Sequence, residues 1–279
     1  MTERRRFINN VLFIVMIVLA ALFLFPILIV FVNSFKTKFS IMGSPFKLPT
    51  RDTFAGLDNY ITGIKSAGIG WAFLRSLFIT VFSVVILTVL ASMTAWYLVR
   101  VKSRVTKVLY SLFIFSMIVP FQMVMYTMTY VVTKIRFNNP VGIIFVYIGF
   151  GAGLSVFMLS GFVKSIPLEL EEAAEIDGSD PVRTFFWIVF PIMKPTAITV
   201  TILNAMWIWN DYLLPYLILG TQSKTLPVAI QIAMQGAYGS VNWGGFMAML
   251  VLAIVPIIIF YLFCQRYIIE GVIAGAVKG

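Results

Sequence analysis

The chain has 279 residues, of which 60% are hydrophobic and only 11% are charged, and its net charge at pH 7 is +10. Soluble globular chains are about 45–50% apolar and about 25% charged, so this composition excludes an ordinary water-soluble domain. The sequence contains no histidine, which excludes His-based metal sites and His-dependent acid–base catalysis. Its single cysteine, Cys264, excludes a disulfide within the chain.

Long charge-free runs predict the elements of the fold. A helix needs about 20 apolar residues to cross about 30 Å of hydrocarbon. Runs of this length predict an all-α polytopic membrane protein with six transmembrane helices in one domain, residues 1–279. The predicted spans are about 11–32, 73–99, 108–132, 140–163, 195–219 and 245–267. Because the runs are continuous, they disfavour the alternating strands of a barrel. The first run is longer than a signal-peptide core, so it is expected to be retained as a helix.

Basic residues in the loops predict the orientation, because Lys and Arg near a span favour the cytoplasmic side. Tight basic clusters occur at 4–6 and 100–107, which the predicted spans place on one side. We therefore expect both termini and the loop 164–194 to be cytoplasmic. The loop 36–70 is expected on the outer side. The positive charge is explained by topology, and nucleic-acid binding is not expected.

More than half of the acidic residues lie in one segment of the cytoplasmic loop, ELEEAAEIDGSD at 169–180. They are Glu169, Glu171, Glu172, Glu175, Asp177 and Asp180. A helix lying on the anionic inner leaflet would be basic, so this segment is not expected to lie on the membrane. A solvated connector remains open, but the small residues Ala173 and Ala174 beside carboxylates favour a docking element for another protein.

Cap residues divide this loop into two short helices. Ser165 or Ile166 can cap the first helix, and Gly178 can end it in a left-handed conformation. Asp180 can cap the second helix, which is predicted to stop at Pro191. The loop then leads directly into the fifth predicted span.

The loop carries a resemblance to a known family. IPLELEEAAEIDG at 166–178 and FPIMKP at 190–195 resemble the EAA signature of the transmembrane subunits of bacterial ABC importers. SPFKLP, LDNY, WNDYLLP and the tail GVIAGAVKG are similar to the carbohydrate, maltose-permease-like branch. The resemblance covers nearly the whole chain and implies the type I ABC importer transmembrane fold. One departure concerns Pro120: many family members have a second proline soon after it, so a single kink is expected here.

In this family the EAA loop is a coupling helix that docks into a cleft on a separate ATPase subunit. The residues that the resemblance assigns to coupling are Glu171, Glu172, Ala173, Ala174, Asp177, Gly178, Ile188 and Pro191. The chain lacks a G-x-x-x-x-G-K-[ST] motif, so we expect no enzyme activity and no cofactor or metal in this chain. ATP and Mg²⁺ are expected at the ATPase subunits.

The resemblance also implies partners and a location. The partners are a second permease subunit forming a heterodimer, two copies of the cytoplasmic ATPase, and an extracytoplasmic binding lipoprotein or periplasmic protein. The location is the bacterial cytoplasmic membrane.

A polar group within the fifth predicted span suggests a substrate path. Asp211 is the only acidic residue inside a predicted span, and an intramembrane charge is a functional hypothesis by default. Its setting, WIWNDYLLPY, mixes aromatic faces with the hydrogen-bonding groups that bind sugars. The candidate path residues are Asn204, Trp207, Asn210, Asp211, Tyr212, Gln122 and Tyr126. Alternatively, the aromatic residues form an interfacial belt and Asp211 reaches the outer surface.

These observations predict the permease subunit of an ATP-driven importer for sugars, oligosaccharides in particular. Glycerol phosphodiesters or polyols remain open as substrates within the same branch. A stand-alone secondary transporter is the alternative from another class. Such transporters couple ions through intramembrane charges, for which a single Asp211 offers little support.

Overall fold

The computed structural model describes residues 3–235 and 241–276, so residues 277–279 of the GVIAGAVKG tail lie outside it. Within these ranges the only strand-like pairing is a bridge between Lys36 and Phe54. The helices are α1 (Glu3–Asn33), α2 (Lys38–Gly43), α3 (Asp58–Ala67), α4 (Ile69–Arg100), α5 (Arg104–Ile118), α6 (Phe121–Lys134), α7 (Gly142–Val163), α8 (Glu169–Ile176), α9 (Pro181–Thr184), α10 (Phe190–Asn210), α11 (Leu213–Leu219), α12 (Leu226–Gln235) and α13 (Trp243–Ala276). A π turn, Phe185–Val189, joins α9 to α10.

The membrane-spanning candidates match the predicted count. In the described part of the chain, five continuous helical stretches are long and apolar enough to cross a bilayer. They are Arg6–Asn33, Ile69–Arg100, Gly142–Val163, Pro181–Asn210 and Trp243–Tyr267. The helices α5 and α6 make a sixth span if the bent pair is counted as one. The all-α multi-pass prediction is therefore confirmed.

The third predicted span is broken once, at Pro120. The axes of α5 and α6 differ by 106° across this break. Proline lacks the N–H that continues a helix, and it disfavours the helical conformation of the residue before it. Val119 is accordingly extended, with ψ at 114°. The expected single kink thus takes the form of a sharp break.

The fifth predicted span, 195–219, differs most from the sequence prediction. The second short helix does not stop at Pro191, because the π turn carries the chain from α9 directly into α10. A π turn shifts the hydrogen-bond register, and Pro191 occupies the first turn of α10, where a missing N–H is tolerated. At its other end, α10 stops at Asn210, and an extended Asp211 separates it from α11.

The chain divides into two compact units, 1–70 with 229–256 and 71–228 with 257–279. In the first unit, the loop after α1 folds around a fully buried Lys36. Its Nζ donates to the carbonyls of Ser44 at 2.7 Å and Lys47 at 2.9 Å. These bonds satisfy the buried ammonium without a carboxylate.

The second unit has two apolar clusters, one near each end of α4. The cluster near the start of α4 comprises Ile79, Val84, Val132, Ile143, Tyr147, Ile208, Leu214, Ile218 and Leu219. The other comprises Leu87, Ala91, Ala95, Val156, Leu159, Val163, Ile166, Phe185, Val189, Met193, Ala197 and Val200. Each cluster joins α4, α7 and α10, and each lies beside one of the candidate sites described below.

Helix α5 packs against α7 at Gly153. A Cβ on Gly153 would lie 2.8 Å from the carbonyl oxygen of Phe113, so only glycine permits this approach. Small residues at helix contacts are typical of membrane proteins, because lipid tails are as apolar as leucine and close packing must stabilise the contact.

Candidate functional site

The acidic segment, residues 169–180, forms α8, a tight turn and the residues that lead into α9. Gly178 has a left-handed φ of +80°, and its N–H donates to the carbonyl of Glu175 at 3.0 Å. The N–H of Ser179 donates to the carbonyl of Ala174 at 2.9 Å, which satisfies another carbonyl at the helix end. Glycine takes this conformation without strain, and the predicted helix end is confirmed.

The start of the first short helix differs from the prediction. Its N-cap is Leu168, which provides no side-chain hydrogen bond. The hydroxyl of Ser165 instead donates to the carbonyl of Phe162 at 2.7 Å, in the last turn of α7. The predicted cap at Ser165 or Ile166 is therefore wrong, because the serine satisfies the end of the preceding helix.

The start of the second short helix is as predicted. Asp180 Oδ1 accepts a hydrogen bond from the N–H of Arg183 at 3.0 Å, and Pro181 occupies the first position of α9. Beyond it, Ile188 is half-buried in the π turn, and Pro191 is exposed in the first turn of α10.

Helix α8 has an inward and an outward face. Glu171 and Ala174, three residues apart on one face, are only 9% and 6% exposed. The outward residues are Glu172, Ala173, Glu175, Ile176 and Asp177. The two alanines predicted for docking therefore point in different directions: Ala173 is exposed, and Ala174 packs within the chain. Their role in docking stays a prediction.

Glu171 binds the far end of α4. Arg100 donates to Glu171 Oε1 from Nη2 at 2.7 Å and from Nε at 2.9 Å. Trp96 donates from Nε1 to Glu171 Oε2 at 2.9 Å. Arg100 Nη2 also donates to the carbonyl of Ile166, in the turn before α8, at 2.9 Å. Charged hydrogen bonds of this kind are stronger than neutral ones, and together they fix α8 against α4. We call Glu171, Arg100 and Trp96 the Glu171 cluster.

Asp211 occupies the break between α10 and α11. Its Oδ1 accepts from the N–H groups of Leu213 at 3.0 Å and Leu214 at 3.4 Å, which positions the first turn of α11. Its Oδ2 accepts from the hydroxyl of Tyr147 on α7 at 3.0 Å. Both carboxylate oxygens thus have donors from this chain. We call Asp211, Tyr147, Leu213 and Leu214 the Asp211 turn.

Asn204 lies in the packing between α10 and α7, where it is only 4% exposed. Its Nδ2 donates to the hydroxyl of Ser155 at 3.1 Å and to the carbonyl of Val200 at 2.9 Å. A Cβ on Gly151 would lie 2.9 Å from Asn204 Oδ1, so the glycine leaves room for the amide. This amide is therefore engaged in helix packing in the isolated chain.

Three further path candidates are near the Asp211 turn. Trp207 packs edge-on against the ring of Tyr147, with centroids 5.4 Å apart, and remains 41% exposed. Tyr212 stacks on Tyr216 at 5.3 Å. Asn210 is exposed, and its Nδ2 donates to a carbonyl of its own helix.

The remaining candidates, Gln122 and Tyr126, lie exposed on α6. An apolar cavity of about 520 Å³ opens beside the break between α5 and α6. Its lining residues are Phe115, Ser116, Val119, Val124, Met128, Phe145, Val146, Gly149 and Phe150. Neither Gln122 nor Tyr126 is among these lining residues.

Sequence reasoning missed three residues that organise these sites: Trp96, Arg100 and Tyr147. Arg100 belongs to the basic cluster at 100–107, so from the sequence it indicated only the cytoplasmic side of the membrane. Tyr147 and Trp96 gave a weak signal, since a Tyr O–H or Trp N–H within an apolar run needs a hydrogen-bond partner when buried.

The sequence matches a known family and named relatives. Residues 87–273 match the model of the binding-protein-dependent transport system inner membrane component. The chain is 42% identical over 263 residues, 94% of each chain, to the "Probable starch degradation products transport system permease protein" of Thermoanaerobacterium thermosulfurigenes. It is 37% identical, over 92% of each chain, to the multiple sugar-binding transport system permease protein of Streptococcus mutans.

The fold has a solved counterpart. The chain superimposes with a TM-score of 0.82 on a chain of a bacterial ABC transporter involved in the import of the acidic polysaccharide alginate. The match covers 96% of this chain and 98% of the other, at 20% identity. This fold likeness agrees with the family match over residues 87–273. The family model over residues 87–273 and the 42% identical relative show that the chain belongs to the family of binding-protein-dependent transport system inner membrane components.

Proposed function

We propose that the chain is the membrane-spanning permease subunit of an ATP-driven importer of sugars, oligosaccharides in particular, and forms half of the translocation path. The observation that carries this proposal is the 42% identity, over 94% of the chain, to a permease named for starch degradation products. The similarity to a permease named for multiple sugars supports the same substrate class.

The acidic segment is, in this proposal, the element that docks into the ATPase subunit. Its outward face offers the carboxylates of Glu172 and Glu175 for steering and orientation. Ile176 is 86% exposed at the centre of this surface, and a partner's groove would bury it. ATP and Mg²⁺ are bound by the ATPase, and the permease chain contributes no residue to hydrolysis.

Membership of this family implies that the chain acts together with an ATPase and a solute-binding protein. We further propose a heterodimer with a second permease, two ATPase copies, and an extracytoplasmic lipoprotein or periplasmic binding protein. The bacterial cytoplasmic membrane holds the complex, with both termini of the chain in the cytoplasm. The apolar stretch of α1, 6–33, is exposed along nearly the whole helix in the isolated chain, so it is free to contact lipid or a second permease. Lipid and the second permease would share that surface.

Transport by the reconstituted complex tests the substrate and the energy source. The complex, placed in vesicles with its binding protein, should take up labelled maltooligosaccharides only when ATP is present on the ATPase side. Uptake of glycerol phosphodiesters and not of oligosaccharides would replace the sugar assignment. Uptake by the chain alone, driven by an ion gradient, would contradict the ABC importer.

A charge reversal on the outward face tests docking. Glu172→Lys should leave membrane insertion intact, weaken association with the ATPase and abolish uptake, because it reverses the charge at the proposed contact. Asp52→Lys is a matched control, since Asp52 is an exposed carboxylate in the loop between α2 and α3. Co-purification of the ATPase measures association. Normal association of Glu172→Lys with normal uptake would refute the docking role.

A further inference from the structure

We propose that Glu171 is a positioning residue that ties the acidic segment to α4 through Arg100 and Trp96, and that its carboxylate does not contact the ATPase. The proposal rests on the proposed function, because it assumes that the outward face of the same segment is the docking surface. It assigns to α4 a direct part in receiving the motion of the ATPase.

The carboxylate of Glu171 is already occupied within the chain. Oε1 accepts two hydrogen bonds from Arg100, and Oε2 accepts one from Trp96 Nε1. The side chains of Arg100 and Glu171 are only 19% and 10% exposed. A carboxylate with three donors and so little exposure has scarcely any surface left for a partner protein. The adjacent Glu172 is exposed, because successive residues of a helix point about 100° apart.

The Glu171 cluster connects α4 to three segments of the loop that is about 70 residues later in the sequence. Arg100 reaches α8 through Glu171 and the preceding turn through the carbonyl of Ile166. The ring of Trp96 also packs against Phe185 in the π turn, with centroids 5.6 Å apart. Phe185 is 1% exposed and belongs to the buried core that joins α4, α7 and α10.

These contacts give the acidic segment two routes into the membrane helices. One route is covalent and runs through α9 and the π turn into α10. The other is the Glu171 cluster, which holds α8 to the end of α4. A push on the outward face of α8 would therefore move α4 and α10 together. Removal of the cluster would leave docking intact but would let α8 move without α4.

The test compares neighbouring carboxylates in the complete complex. Glu171→Ala, Arg100→Ala and the double variant are assembled with the second permease, the ATPase and the binding protein. Glu171→Ala should retain the ATPase on co-purification, whereas Glu172→Lys should weaken its association. Uptake by Glu171→Ala should fall roughly tenfold, and stimulation of ATP hydrolysis by loaded binding protein should fall with it.

Two further comparisons separate positioning from general damage. If Glu171 and Arg100 act as one unit, the double variant should be no worse than Arg100→Ala alone, because Arg100 also binds the carbonyl of Ile166. Glu171→Gln keeps the shape and one carbonyl acceptor, so it should restore part of the uptake that Glu171→Ala loses. If Glu171→Ala fails to assemble, Glu171→Gln can be used in its place to test the positioning role.

Each contrary result overturns a different statement. Loss of the ATPase from Glu171→Ala to the extent seen in Glu172→Lys would make Glu171 a docking group. Normal uptake and normal stimulation of Glu171→Ala and Glu171→Gln would show that the tie to α4 is unimportant. A third outcome is that Glu172→Lys has no effect while Glu171→Ala loses uptake and stimulation of ATP hydrolysis. The proposed docking surface would then be wrong, but the tie of α8 to α4 would still be supported.

Discussion

The Glu171 cluster and the Asp211 turn place a carboxylate beside each of the two apolar clusters of the unit 71–228, but they satisfy it differently. Glu171 is paired with the guanidinium of Arg100 and with an indole N–H. Asp211 has only neutral donors, a tyrosine hydroxyl and two backbone N–H groups. Removing a partner strands a charge in the first case, whereas in the second it costs only hydrogen bonds.

The surroundings of the two carboxylates differ as well. Glu171 shares a short helix with an exposed acidic face, so its bonds anchor a surface that a second protein could push. Asp211 lies in the chain break that ends α10, and its bonds determine where α11 begins. Each of these two carboxylates is therefore foremost a connection between helices, and the exposed residues beside it are the stronger candidates for contact with a partner or a substrate.

The largest effect on stability is expected at Arg100. Arg100→Ala leaves the carboxylate of Glu171 little exposed and without its counter-charge, which should lower the free energy of unfolding by about 3 kcal/mol. Arg104→Ala is the control, because Arg104 is exposed at the start of α5 and should change stability by less than about 0.5 kcal/mol. Chemical unfolding of the purified chain in detergent measures both. Equal stability of the two variants would show that Arg100 does not stabilise Glu171 as a counter-charge. The contrast between the Glu171 cluster and the Asp211 turn would then fail.

A smaller effect is expected at Asp211, and it also tests the predicted substrate path. Asp211→Ala removes acceptors for three donors and should cost about 1–3 kcal/mol of unfolding free energy. Asp211→Asn keeps a carbonyl acceptor for Leu213 and can still pair with Tyr147, so its stability should be close to that of the wild type. Uptake measurements then distinguish a role of Asp211 in building the turn from a role in substrate transport.

If the carboxylate only builds the turn, Asp211→Asn should transport at nearly the wild-type rate. A stable Asp211→Asn variant that assembles but fails in uptake would support the substrate-path prediction. The same assay on Asn210→Ala tests the exposed amide beside the turn, whose side chain bonds only to its own helix in the described contacts.

The charge-free runs were sufficient to predict the long helices. The predicted span 140–163 lies within two residues of α7, and 73–99 lies within α4. Hydrophobicity determines such boundaries, because the bilayer excludes unpaired backbone groups and charges. The break at Asp211 was not predicted, because hydrophobicity does not reveal the bonds of this carboxylate, one of which comes from Tyr147, 64 residues earlier in the sequence.

The candidate sites were predictable only in part. The cap residues Gly178 and Asp180 act locally, so their roles could be inferred from the sequence around them. The inward orientation of Glu171 could not, because its partner Arg100 is 71 residues away. An arginine in the last turn of an apolar helix indicates a membrane side, but it does not identify its partner.

The smallest effect is expected from Tyr147→Phe, which removes one hydroxyl and keeps the ring. The ring should still pack against Trp207, so only the bond to Asp211 is lost, at a cost of about 1 kcal/mol. In a double-mutant cycle with Asp211→Ala, the two changes should be less than additive, because each removes the same bond. Additive losses of unfolding free energy would mean that Asp211 stabilises α11 through its backbone donors alone. The Asp211 turn would then be a local cap, and only the Glu171 cluster would connect distant helices through a carboxylate.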